Sequence, residues 1–153
     1  MITPDQRSMI INTFHSLTML NFSPVLECVS QSEFFVLMAV DKLSSYSEKN
    51  TGKVSSISEI LHVSSPAISR TLTSLENKGY AVRCVDVQNR RNTGVKLTKE
   101  GMAVLHKECE NVNGVFGEVA ESMGAEKIRL LITLADEMMN SFSVALANRK
   151  SNA

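Results

Sequence analysis

The chain has 153 residues, 43% of them hydrophobic and 21% charged, and its 16 Lys or Arg balance 16 Asp or Glu. A chain of this size and ordinary composition buries a substantial core unaided, so one soluble domain spanning 1–153 is expected. The longest apolar run, Phe34 to Val40, is too short for a membrane span, and acidic Asp5 argues against a signal peptide, so a cytoplasmic location is expected.

A first helix runs from Thr3 or Pro4 to Leu20, with Ile10, Phe14 and Leu17 on one side. A connection containing Pro24 and Cys28 leads to a second, Ser32 to Ser47, whose apolar residues include Phe35, Leu37, Met38 and Leu43. Ser55 to Leu61 reads as a short third helix, with Ser56 and Glu59 spaced as a capping box and Ile57, Ile60 and Leu61 on one side. The three residues His62 to Ser64 match the turn of a helix-turn-helix.

The next helix starts with Ser65 as N-cap and Pro66 at the first helical position, and it stops at Lys78 and Gly79. Ile68, Thr71, Leu72 and Leu75 share its packing face, while Pro66, Ser69, Arg70, Thr73 and Asn77 share the other. Ser, Thr and Asn can bond base edges or phosphates, and Arg can donate two bonds to guanine. The β-formers of Tyr80 to Val85 and Val95 to Leu97 predict a hairpin whose tip, 86–94, projects Arg90 and Arg91. Two adjacent guanidinium groups repel each other unless anions receive them. Short helix, tight turn, longer helix and basic hairpin are, in that order, a winged helix-turn-helix.

Beyond Gly101, Met102, Leu105, Cys109, Val112, Phe116, Val119 and Met123 recur at heptad-like spacing, as do Ile128, Leu131, Ala135, Met138, Phe142 and Ala145 after Gly124. The N-terminal and two C-terminal helices are then left over from the core. A second copy of the chain buries them most economically, through Ile10, Phe14, Leu17, Ile128, Leu131, Met138 and Phe142. The expected fold is mainly α with a small β wing: a winged helix-turn-helix lobe over 32–100, with dimerisation helices over 3–21 and 101–148.

Charge is neutral overall but not locally. Lys49 to Lys107 holds ten Lys or Arg against four acids, a net of +6, and the remainder carries −6. That asymmetry localises a phosphate-binding surface. Three cysteines, an odd number, point away from a disulfide framework: Cys109 lies on a heptad seam, Cys84 in a wing strand and Cys28 in the first connection. His15, His62 and His106 lack metal-ligand spacing, and neither a metal nor a cofactor is expected. With no phosphate loop or nucleophile elbow, the chain does not read as an enzyme, and Glu108, Glu110, Asp136 and Glu137 read as solvated charges.

The run Asp86-x-x-Asn89-Arg90-Arg91 followed by Leu97-Thr98-x-x-Gly101, placed after HVSSPAISRTLTSLENKGY, resembles the MarR family of bacterial transcription regulators. The likeness covers nearly the whole chain in length and element order. It implies an obligate homodimer on double-stranded DNA, a repressor at a pseudo-palindromic operator, with recognition helices in the major groove and a wing arginine in the minor groove. By position, Arg91 is the wing-tip arginine and Arg90 a phosphate contact, Lys96 belongs to the wing's basic set, and Ser65, Pro66, Ser69, Arg70 and Thr73 face the groove. Asn89 departs from the usual Asp, so a carboxylate that would brace the wing is replaced. The resemblance also implies a small lipophilic or aromatic effector, for which Met9, Phe14, Met19, Phe35 and Met38 are candidate pocket residues. Two alternatives stay open: a winged-helix protein-binding adaptor that no longer reads DNA, and a thiol-based redox sensor acting through Cys28.

Overall fold

The computed structural model describes residues 3–45, 52–85 and 93–151. Its elements run α1 (Pro4–Thr18), α2 (Gln31–Ser45), β1 (Gly52–Lys53), α3 (Val54–Leu61), α4 (Ser65–Asn77), β2 (Ala81–Val85), β3 (Thr93–Leu97), α5 (Lys99–Met123) and α6 (Ala125–Ser151). The three strands form an antiparallel sheet in the order β1-β3-β2. This is the expected mainly helical winged helix-turn-helix. The chain groups into two compact units, Met1–Val112 and Asn113–Ala153, with the division inside α5.

The first unit is built around α2, whose Phe34, Val36, Leu37, Ala39 and Val40 are buried together with Ile57 of α3 and Ile68, Leu72 and Leu75 of α4. Ala81 and Val95 of the sheet and Leu105 and Val112 of α5 complete this core. Each of the buried Val, Leu, Ile and Phe side chains contributes about 1.5–3 kcal/mol on burial. The packing face read from the sequence of α4 is therefore the face that packs, with Thr71 half-buried beside the three buried residues.

Helix starts differ from the sequence expectations in two places. α3 begins at Val54, so Ser56 and Glu59 lie inside it and make no capping box, and its N-cap Lys53 makes no side-chain capping bond. The start is fixed instead by β1, a strand not expected from sequence, which pairs Gly52 with Val95 and Lys53 with Gly94 immediately before the helix. α4 is capped by Ser64 rather than Ser65: the Ser64 carbonyl accepts from the Ala67 and Ile68 N–H groups at 2.9 and 3.1 Å. The Ser65 hydroxyl donates to Ser58 Oγ at 3.3 Å instead. The turn between the helices is made by His62, whose φ of 51° is left-handed.

The end of α4 follows the sequence closely. Gly79 takes φ 77°, its N–H donates to the Glu76 carbonyl at 2.9 Å, and the Tyr80 N–H donates to the Leu75 carbonyl at 2.9 Å. These paired bonds are a Schellman stop, which needs a residue at ease with positive φ.

α1 has a complete capping box, Thr3 Oγ1 accepting from the Gln6 N–H at 3.2 Å and Gln6 Oε1 from the Thr3 N–H at 2.9 Å, yet none of its residues is buried. In the second unit α6 likewise has no buried residue among those whose burial is described, 125–149. Of the residues expected at a dimer interface, Ile10, Leu17, Leu131 and Phe142 are exposed, while Phe14, Ile128 and Met138 are half-buried.

Candidate nucleic-acid interface

The outer face of α4 displays Ser65, Pro66, Arg70 and Thr73, all exposed, with Ser69 half-buried among them. The Thr73 hydroxyl is partly committed, donating to the Ser69 carbonyl at 3.0 Å. Glu76 is the one carboxylate on this helix, and Arg83 of β2 neutralises it, with Nε 3.1 Å from Glu76 Oε2. The same guanidinium places Nη2 at 3.2 Å from both the carbonyl oxygen and Oγ of Ser69. One arginine thus ties the base of the wing to the middle and end of α4. The sequence reading missed it because its partners are seven and fourteen residues away and belong to another element.

The C-terminal end of α4 is held by Glu33, a buried carboxylate in the first turn of α2. Its oxygens accept from Ser74 Oγ at 2.7 Å, from Lys78 Nζ at 2.8 Å and from the Ser30 N–H at 2.8 Å. Burial by itself would raise the Glu33 pKa, but the bonds from Lys78, Ser30 and Ser74 outweigh it and hold the pKa down to about 2. Ser30 Oγ in turn accepts from the Glu33 N–H at 3.4 Å, a capping box that fixes the carboxylate's position.

The Leu97-Thr98-x-x-Gly101 run acquires a physical reason. Thr98 Oγ1 donates to the Gly79 carbonyl at 2.7 Å and accepts from the Gly101 N–H at 2.9 Å, while the Thr98 N–H donates to the Tyr80 carbonyl at 3.1 Å. Thr98 therefore caps α5 and pins it to the stop of α4 in one move. Gly101 is buried directly against Tyr80, leaving no room for a side chain.

Glu108 is not the solvated charge expected from sequence: its side chain is fully buried. Its carboxylate accepts from the Glu27 N–H at 3.1 Å, from the Cys28 N–H and from Asn111 Nδ2 at 3.3 Å. Burial pushes its pKa up, and the backbone N–H groups of Cys28 and Glu27 more than reverse that, so the net shift is downward. The signal was present in the sequence, since 108 lies three residues after Leu105 and four before Val112, inside the apolar stripe. Cys28 and Cys84 are half-buried, and so is Cys109, whose thiol burial pushes above its usual pKa with Asp41 adding to the effect.

Lys96 is exposed on β3. Asn89, Arg90 and Arg91 lie outside the described residues. Of the five candidate effector residues, Met19 and Phe35 line a cavity of about 510 Å³ that also reaches Leu61 and Val63, and Ile68 and Thr71 on α4. Met9, Phe14 and Met38 are not among its lining residues, and Met9 and Met38 are exposed. Phe35 is braced by Phe22, edge to face, with ring centres 6.5 Å apart. Among the described residues no group of His, Cys, Asp or Glu is arranged to hold a metal.

A helix with a polar, acid-neutralised outer face, set beside a hairpin and behind a short helix, is the geometry of a duplex-reading head. The family profile described as a winged helix DNA-binding domain matches residues 37–115. The chain belongs to this winged helix DNA-binding family. The match takes in α2 from Leu37, α3, α4, the sheet and α5 as far as Val115, while Glu33, the anchor of α4, lies just outside it.

Solved structures agree on the fold. The transcriptional regulator BldR from Sulfolobus solfataricus superposes with a TM-score of 0.74 at 21% identity, covering 92% of this chain and 99% of that one. MarR from Escherichia coli in complex with operator DNA gives a TM-score of 0.61 at 22% identity, covering 72% of this chain and 75% of that one. Among curated proteins, the homoprotocatechuate degradative operon repressor of Escherichia coli is 26% identical over 85 residues, 56% of this chain and 54% of that protein. The chain thus spans about half the length of the curated relatives it matches. The winged-helix reading is borne out, the fold is shared with solved MarR structures, and the matched proteins are described as transcriptional regulators and an operon repressor.

Proposed function

We propose that this protein is a cytoplasmic, homodimeric transcription regulator, a repressor that places α4 of each subunit in successive major grooves of a pseudo-palindromic operator. Half-sites would lie about 10 bp apart, one helical turn. The carrying observation is the outer face of α4, where Ser65, Pro66, Arg70 and Thr73 are exposed and Glu76 is neutralised by Arg83. The local charge of +6 from Lys49 to Lys107 supports it, as does the operator complex of MarR. Arg90 and Arg91 supply the wing's phosphate and minor-groove contacts, with Asn89 and Lys96 beside them.

Titration of a labelled operator duplex tests this reading. Affinity should fall steeply as salt rises, and Arg91→Ala should weaken binding to all sequences and reduce the slope of log affinity against log salt by about 1. No measurable binding by the wild-type protein at low salt would leave the adaptor reading instead.

The exposed apolar residues of α1 and α6 are assigned to the dimer interface. By length and composition alone, Ala125–Arg149 would also pass as a membrane span. Asp136 and Glu137 sit at its middle, where a charge costs about 2.5–3.5 kcal/mol in a bilayer, so a protein-covered face is favoured. Sedimentation should therefore give a dimer without detergent, and Leu131→Asp together with Phe142→Asp should shift it to monomer. A monomeric wild-type chain at micromolar concentration would overturn the assignment.

The cavity of about 510 Å³ is assigned to a small lipophilic or aromatic effector. Its wall includes Ile68 and Thr71 of α4, so an occupant that prefers one placement of that helix biases the pair of reading heads.

A further inference from the structure

We propose that Arg83 is a specificity-determining positioning residue: it orients the Ser69 hydroxyl so that Ser69 donates a hydrogen bond to an acceptor on a base edge. The inference rests on the reading of α4 as a recognition helix.

A serine hydroxyl has one hydrogen to give and two lone pairs to fill. Arg83 Nη2, 3.2 Å from Ser69 Oγ, occupies one lone pair, and because a guanidinium carries no lone pair of its own it cannot receive the hydrogen. Among the described residues no acceptor takes that hydrogen, since the local carbonyl bonds on this helix are made by Thr71 and Thr73. A donor that is always charged also polarises the O–H bond and strengthens it as a donor.

Arg83 is itself fixed at three points. Glu76 Oε2 holds Nε at 3.1 Å, and the Ser69 carbonyl holds Nη2 at 3.2 Å alongside Oγ. The planar fork of arginine makes these contacts together, whereas a lysine, with one ammonium nitrogen, does not span Glu76 and Ser69 in the same geometry. The serine therefore lies on the groove face of α4 with its orientation set from β2.

The chemistry of the ligand follows. In the major groove guanine offers O6 and N7, adenine N7 and thymine O4 as acceptors, while cytosine offers only the N4 donor. Ser69 should read a base that is not cytosine, at a position distinct from the one read by Arg70.

Selection from a randomised duplex pool with wild type, Ser69→Ala, Ser69→Thr and Arg83→Lys tests this. Ser69→Ala and Arg83→Lys should relax the same single position, each losing roughly three- to tenfold discrimination against cytosine there. Ser69→Thr, which keeps the hydroxyl, should retain the preference. The salt slope of Arg83→Lys should match wild type, because the charge is kept. If Ser69→Ala leaves every position of the wild-type site unchanged, or relaxes a different position from Arg83→Lys, the inference is overturned while the recognition-helix reading stands. A wild-type protein that selects no site overturns that reading and this inference with it.

Discussion

Gly101→Ala should lower unfolding stability by about 3 kcal/mol or more, a fall of roughly 10 °C in the thermal midpoint for a chain of this size. A Cβ at this position would stand 1.9 Å from the Tyr80 carbonyl oxygen and 2.7 Å from its carbon, so backbone must move. Neither side yields cheaply. The Tyr80 N–H closes the stop of α4 on Leu75, its carbonyl accepts from Thr98, and Ala81 beside it pairs with Leu97 at the root of the wing. The Gly101 N–H is held at 2.9 Å by Thr98 Oγ1. Thermal or denaturant unfolding measures the effect, and a variant within 1 kcal/mol of the parent would show that the junction relaxes freely.

Glu33→Gln should cost about 2–3 kcal/mol at neutral pH and flatten the acid limb of the stability profile. The folded-state pKa of Glu33, about 2, lies below its ordinary value of 4.5, so the unfolded chain binds more protons between these two values. Its contribution is complete above about pH 4.5 and disappears as pH falls toward 2, a loss near 3 kcal/mol at 1.36 kcal/mol per pH unit. Glu108 is shifted in the same direction and adds to the acid loss of the parent. Glutamine keeps the shape and can still accept from Ser74, but it leaves the Lys78 ammonium without its counter-charge. Unfolding free energies from pH 7 down to pH 2 measure both effects. A variant as stable as the parent at pH 7 and as acid-sensitive below pH 5 would remove Glu33 from the account.

What was legible in the chain was whatever is decided locally. Pro66 and Gly79 bracket α4 because a fixed φ and a positive φ act on their own residue, and Ile68, Leu72 and Leu75 mark its packing face by spacing alone. Arg83 and Glu33 are not legible because their partners come from other elements, whereas Glu108 reads as a solvated charge by its letter and is marked as buried only by its place in the apolar stripe between Leu105 and Val112. β1 was missed for a related reason: two residues have no periodicity, and its existence depends on β3, more than 40 residues further on. Ser65 and Ser64 are chemically equal candidates for a cap, and the bond from Ser65 to Ser58 in α3 goes with Ser64 as the cap. Within the reading head, the exposed positions of α4 were visible in sequence, whereas the clamp that orients Ser69 was not.

The two buried carboxylates also bear on where this protein can be cut. Glu33 reaches 41 and 45 residues along the chain to Ser74 and Lys78, and Glu108 reaches back 80 and 81 residues to the N–H groups of Cys28 and Glu27. The winged-helix match begins at residue 37, after all of these N-terminal partners. A fragment trimmed to 37–115 would keep the strands, α3 and α4, yet it would strand the Glu108 carboxylate in the protein interior with Asn111 as its one remaining donor among the described residues, and it would discard Val29, Phe34 and Val36 from the core. An uncompensated interior charge costs about 3–5 kcal/mol, a large share of the stability of an ordinary domain. The compact unit that holds the reading head is thus wider than the segment that marks its family, and it takes in Glu27 and Cys28.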